Sequence, residues 1–309
     1  MLKYLVVLMD DTCPSFCHYE NKKTNKNLIP LDTLKKVLRW SMIENLSVQF
    51  VLPDYELSAE YKEVMQSVRH QTIATSLNKT SADVIVINDI SSSFECDKSY
   101  LLRISLNDFI GNVKRIGEVI TSCSRMNVAF TDVESFNDND IERYQNALKE
   151  IVDILSESIK TGKQVQTNLL TDRIVLDSMI NCNAGWESIT VAPDGKFYVC
   201  PAYYIDGLGN VGDVENGLDI KNPQLYRLDH APLCRNCDAY QCKRCIYLNQ
   251  KLTLEVGIPS HQQCVISHIE RNASRILMEN LKREGYFIDN KEIKEIDYLD
   301  PFDVESAKK

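Results

Sequence analysis

Between Cys182 and Cys264 the chain places seven of its eleven cysteines. They occur as Cys182, then Gly195-Lys-Phe-Tyr-Val-Cys200, then a knot Cys234-x2-Cys237-x4-Cys242-x2-Cys245, then Cys264. Thiols packed this densely behind a start without a secretory pattern read as metal ligands, because a reducing cytosol does not keep structural disulfides. A cytoplasmic protein is therefore expected. One zinc takes four cysteines and two take eight, whereas two iron-sulfur clusters can use four and three and leave one iron open. Four cysteines within twelve residues match ferredoxin loops better than zinc ribbons, whose paired knuckles stand farther apart. Zinc is the structural rival.

A chain of 309 residues that is 44% hydrophobic can bury a sizeable core and is long enough for two domains. Its net charge of -9 offers no broad basic field for phosphates, so nucleic acid is not an expected partner. The apolar run Tyr4-Leu-Val-Val-Leu-Met9 is too short to span a bilayer and meets Asp10 and Asp11 at once, so no membrane segment is expected either.

The first half alternates strand and helix patterns. Leu5–Met9, Ser47–Leu52, Asp83–Asn88, Leu101–Ser105, Asn127–Thr131 and Val165–Leu170 read as strands. Helices are expected over 30–43, 106–123 and 138–159, and the apolar stretch Ile174–Ile180 reads as a linker helix. Such alternation predicts an α/β fold with a mostly parallel sheet and right-handed crossovers. Farther on, Ile189–Ala192 and Lys196–Val199 flank Pro193-Asp-Gly195 as a hairpin that sets Cys182 and Cys200 beside one site. A final helix is expected over Val265–Leu281. The expected domains are 1–172, 173–285 and a tail, 286–309, whose last residues, Asp300–Lys309, read as loose.

Several single residues invite bland readings. Cys96 and Cys123 lack partners at ligand spacing and read as fillers of small apolar volumes. Asp132 and Glu134, after a strand, read first as a helix-start acidic pair and second as residues at a barrel mouth. His261 and His268 flank Cys264 and read as surface residues before ligands.

The cysteine spacing, with Cys182-Asn-Ala-Gly-Trp186, Val191-Ala-Pro-Asp-Gly195, Cys200-Pro-Ala-Tyr-Tyr204, Gly212-Asp213 and Pro259-Ser-His-Gln-Gln-Cys264, resembles the SPASM domain of radical S-adenosylmethionine peptide-modifying enzymes. The knot spacings here are four and two, where that family uses five and three. The resemblance implies that Cys182, Cys200 and Cys245 hold one [4Fe–4S] cluster and that Cys234, Cys237, Cys242 and Cys264 hold a second. It also implies a truncated, triosephosphate-isomerase-like radical domain in front. There the loop after the first strand should read Cys-x3-Cys-x2-Cys with an aromatic before the last cysteine. Cys13, Cys17 and Tyr19 fall into that register, but position 20 is Glu. A carboxylate suits reduced iron less well than a thiolate, which leaves Glu20 or His18 as an unusual third ligand and a relic or weak metal site as the alternative.

After the second strand the superfamily shows Gly-Gly-Glu, whereas this chain shows Leu52-Pro53-Asp54-Tyr55-Glu56, with no glycine to let a ligand approach the backbone. Asp54 and Glu56 are substitutes for the carboxylate or simply solvated. Taken whole, the chain resembles the CXXX repeat peptide maturases. That implies post-translational maturation of a ribosomally made cysteine-repeat peptide, with two [4Fe–4S] clusters and S-adenosylmethionine at the altered N-terminal loop. Two readings stay open: an enzyme working by a radical route, or a non-catalytic cluster-bearing carrier or electron relay beside an intact radical enzyme, with an electron donor as a further partner.

Overall fold

The computed structural model describes residues 2–75, 82–91, 93–286 and 292–294, so Asp300–Lys309 lie outside the described residues. In chain order the strands are β1 (Tyr4–Leu8), β2 (Ser47–Val51), β3 (His70–Thr75), β4 (Val84–Ile87), β5 (Ser99–Ile104), β6 (Arg125–Phe130), β7 (Ser188–Val191), β8 (Phe197–Tyr198), β9 (Gly212–Asp213) and β10 (Gly217–Leu218). The helices are α1 (Leu31–Ile43), α2 (Ala59–Gln66), α3 (Leu106–Gly111), α4 (Val113–Ile120), α5 (Asp138–Lys160), α6 (Thr171–Val175), α7 (Pro201–Ile205), α8 (Ile246–Thr253) and α9 (His261–Arg283). Two compact units result, each built from two separated segments: Met1–Val86 with Cys182–Pro232, and Ile87–Asn181 with Leu233–Lys309. Each unit thus joins part of the strand-helix half to part of the cysteine-rich half.

In the first unit, β2 and β7 flank β1 in parallel and β3 lies beside β2, while β8 returns antiparallel along β7. The strands are apolar because both faces are covered: Leu5, Val7, Phe50 and Val51 are fully buried, and α1 presents Leu34, Val37 and Leu38 inward. The expected hairpin forms. An isolated two-stranded hairpin is marginal in water, and this one is held by registering Tyr4 with Ser188 and Val7 with Val191.

In the second unit, β5 and β6 pair in parallel from Ser99 against Arg125 to Ile104 against Phe130. Phe109, Phe130, Phe136 and Tyr144 stack edge to face beside them, ring centroids 5.1–5.7 Å apart. Both long helices carry capping boxes, Asn137 with Asp140 on α5 and Ser260 with Gln263 on α9. Because the Ser260 cap fixes the turn that leads into Cys264, Ser260→Ala is expected to cost about 1 kcal/mol in chemical denaturation.

Three expected elements differ. Val165–Leu170 is not a strand: the Asn168 side chain accepts from Val128 N at 2.8 Å and donates to Val128 O at 2.9 Å, replacing a strand's backbone, and only a bridge at Thr167 remains. The helix over 106–123 breaks at Asn112 (φ −123°), whose amide donates to Asp108 O and competes with the helical ladder. The linker helix shifts to α6, because Asp172 and Arg173 turn inward and Leu176 is extended (ψ 139°). α2, β3, α7, α8, β9 and β10 are additional elements.

Candidate functional site: two sets of thiols

The first set lies in the first unit. The loop after β1 is organised by Asp10, 1% exposed, whose carboxylate accepts from Thr12 N (2.8 Å), Thr12 Oγ1 (2.7 Å), Asn27 N (2.8 Å) and Tyr55 OH (2.9 Å). Burial first, and the Asp10 bond second, push the Tyr55 phenol upward. Asn21 staples the loop by donating its side-chain amide to Asp11 O and Cys13 O and its backbone N–H to Ser15 Oγ. Cys13 is buried; its thiol donates to Val51 O at 2.9 Å and accepts from Asp10 N at 3.3 Å. Desolvation holds it protonated well above the ordinary thiol range. Tyr19 is buried edge-on to Phe16, Cys17 and His18 are half-buried, and Glu20 is exposed. Glu56 pairs with Lys62 at 2.5 Å, and the exposed Asp54 accepts weakly from Thr12 Oγ1 at 3.4 Å.

The same loop packs on α7. Tyr204 OH donates to Asp11 at 2.5 Å, and Lys23 Nζ stands 3.5 Å over the Tyr204 ring. Cys200 caps α7 with Pro201 next. Burial pushes its thiol up, and the neighbouring sulfurs of Cys182 and Cys17 add to the push. Cys182 itself is exposed, and its carbonyl accepts from Ser188 Oγ at 2.7 Å. Gly185 (φ +81°) sits where a Cβ would come within 2.5 Å of the Tyr226 ring, so only glycine fits this turn. Tyr198 OH is committed to Asp194 at 2.8 Å.

The second set lies in the second unit, and α9 grips it. Ser267 Oγ accepts from Lys243 N at 2.9 Å, and Gln263 Nε2 donates to Lys243 O at 3.0 Å. Arg271 forks onto Asp238 at 2.8 and 2.6 Å. Cys234, Cys237 and Cys242 become electrostatic neighbours, with burial pushing the Cys234 thiol up to about 12 and that of Cys237 up to about 11. Backbone amides already point at two of these sulfurs: Ala239 N at 3.4 Å from Cys237 Sγ and Arg244 N at 3.3 Å from Cys242 Sγ. Cys264 lies on α9 one turn before His268. That histidine is buried rather than superficial, with Nε2 3.7 Å from Cys237 Sγ. His261 is exposed, as expected, and Cys245 caps α8.

The donor chemistry fits an anionic metal group. Beside the knot, Arg173, Lys243, Arg244 and Arg271 are all buried, against one fully buried carboxylate, Glu270, and the half-exposed Asp238. Arg173 Nε is buried with no hydrogen-bond partner among the described residues. Buried cations in excess of anions are costly, and a thiolate-bound iron-sulfur cluster supplies negative charge. Among the described residues no three thiol, imidazole or carboxylate groups are gathered as a single-ion site.

Cys123 fills a buried volume, with desolvation pushing its thiol up to about 11, but Cys96 is exposed and fills none. Asp132 accepts from Leu106 N at the start of α3, an earlier helix rather than one that follows it, and Glu134 pairs with Lys251 at 3.5 Å.

No protein-family model and no curated protein matches this sequence. Solved structures do match in three dimensions. Native anSMEcpe with bound AdoMet and Cp18Cys peptide shares 12% identity over 92% of this chain and 100% of its own, with a TM-score of 0.64. The chain has its fold. That is the α/β, mostly parallel fold anticipated above, with the cysteine-rich region behind it. Streptococcus suis SuiB is similar at lower scores: bound to S-adenosylmethionine, 14% identity over 85% of this chain and 75% of that one, TM-score 0.51; bound to precursor peptide SuiA, 14%, 84% and 75%, TM-score 0.50. No helix among the described residues is long and apolar enough to cross a membrane.

Proposed function

We propose that this chain is an iron-sulfur protein of the radical S-adenosylmethionine/SPASM type that takes part in maturing a ribosomally made peptide. The observation that carries it is the fold shared along nearly the whole chain with a protein solved holding AdoMet and a peptide. SuiB, solved with its precursor peptide and with S-adenosylmethionine, points the same way. The finer reading is a cysteine-repeat peptide as substrate and two [4Fe–4S] clusters. The proposed iron ligands are the seven thiols Cys182, Cys200, Cys234, Cys237, Cys242, Cys245 and Cys264. When bound, such clusters supply one-electron chemistry.

The chain's own residues then divide the work. Asp10 and Asn21 fix the loop after β1, and Tyr204 and Lys23 tie that loop to the helix that Cys200 caps. On α9, Gln263, Ser267 and Arg271 hold the knot in place. The alternative is the relay reading, in which an intact radical enzyme and an electron donor work beside this chain and Cys13 keeps its bond to Val51 O; under that reading alone, Cys13→Ser is expected to leave iron content unchanged within error.

The test is anaerobic reconstitution followed by addition of S-adenosylmethionine, reductant and a cysteine-repeat peptide. Peptide binding that perturbs the cluster spectrum supports maturation; 5′-deoxyadenosine formation makes the chain itself the radical enzyme, and its absence with binding intact makes it the relay. Neither binding nor cleavage refutes the proposal.

A further inference from the structure

The second unit contains a buried charge network that neither helix packing nor the ligand set requires. Glu270, on α9, is completely buried. One carboxylate oxygen takes the Tyr144 hydroxyl at 2.6 Å and Lys243 Nζ at 2.9 Å, and the other takes Arg173 at 2.5 Å. Arg173 also donates to Asn168 O and Leu169 O at 2.6 Å and to Gln241 O at 2.8 Å. Gln241 sits at φ +60° immediately before Cys242, so this arginine holds the strained turn that aims the cysteine. Lys243 follows Cys242 directly and has the Phe130 ring 6.0 Å from its ammonium. Two buried cations thus share one carboxylate, and Arg244 adds a third buried cation at the knot.

We propose that Lys243 and Arg173 are positioning residues that set the reduction potential of the cluster held by Cys234, Cys237, Cys242 and Cys264, making it the higher-potential of the chain's two clusters. This rests on the iron-sulfur reading above. Adding one electron to a cluster adds one negative charge, and cations and sulfur-directed amides nearby favour the reduced form. The knot has four such cations, of which Arg271 is paired with Asp238, and two such amides. Among the described residues of the first unit, which holds Cys182 and Cys200, no lysine or arginine is buried. Lys243 is the cation to test, because removing it leaves Arg173 and Glu270 as a neutral buried pair, whereas removing Glu270 leaves two like charges facing each other.

The experiment is a spectroscopically monitored redox titration of the full chain, reconstituted anaerobically, in a Cys182→Ala/Cys200→Ala background so that the knot's wave is read alone. Lys243→Met is expected to lower the reduced-to-oxidised ratio at fixed potential at least tenfold, a shift of about 59 mV for one electron. Lys243→Arg restores the charge and is expected to restore the potential, which a merely structural role for Lys243 does not predict. Tyr144→Phe, which keeps the fold's shape and frees Glu270 of one donor, is expected to lower it by less. Unchanged midpoints in both Lys243→Met and Tyr144→Phe overturn the proposal, as does a parent knot wave lying below that of the Cys182/Cys200 site. Iron and sulfide absent from the parent overturn the underlying reading instead.

Discussion

Glu270→Gln is expected to destabilise the second unit by about 3–5 kcal/mol, read as a fall in the urea midpoint. The carboxylate it removes is fully buried and answers both Arg173 and Lys243. Without it, two cations are left in a place that water does not reach, and desolvation already drives the Lys243 ammonium toward its neutral form. The cost comes from that uncompensated charge rather than from lost packing, since glutamine nearly matches glutamate in volume. Adding Lys243→Met to Glu270→Gln should therefore recover part of the loss, a coupling that a double-mutant cycle measures directly. Strict additivity of the two substitutions would show that the network carries no shared energy.

The second large effect is expected at Cys237. If the chain holds the two clusters proposed, replacing it with alanine should leave one and open the region from Cys234 to Cys264 to proteolysis. This stretch is loop-rich: apart from a single-turn 3-10 helix and the two turns of α8, it offers little core of its own, and its order rests on α9 side chains and on whatever the thiols bind. Iron and sulfide quantification together with limited proteolysis checks both halves. Full iron retention with an unchanged digestion pattern would count against Cys237 as a ligand.

Much of this was legible in the sequence because it follows from periodicity and capping. The apolar runs of β1 and β2 mark strands covered on both faces, Asp138 opens α5 where its acidic first turn suggests, and Pro193-Asp-Gly195 makes its hairpin. What pattern does not encode is partner choice. Nothing in Ser188–Val191 says that it pairs with Tyr4–Val7, over 180 residues away in sequence. Nor does the stretch Val165–Leu170 reveal that one amide side chain, Asn168, takes the strand's hydrogen bonds.

The candidate site divides the same way. Thiol spacing pointed to Cys234, Cys237 and Cys242, and their thiols feel one another's charge, while no three such groups gather at a single-ion site among the described residues. Spacing did not mark Glu270, Arg173 or Tyr144. Their faint signals were the basic pair Lys243-Arg244 inside the knot and a glutamate set among Ile266, Ile269, Ala273 and Leu277 on the inner face of α9. Buried His268 was missed because a lone histidine at an amphipathic helix's start is usually superficial; its place one turn from Cys264 is the clue.

The most direct test of the central claim is the metal and sulfide content of the full chain after anaerobic reconstitution. The account predicts acid-labile sulfide and iron in amounts matching two four-iron clusters, with the broad visible absorbance of iron bound to thiolate. Stoichiometric zinc with no sulfide, in protein that stays folded, would contradict it.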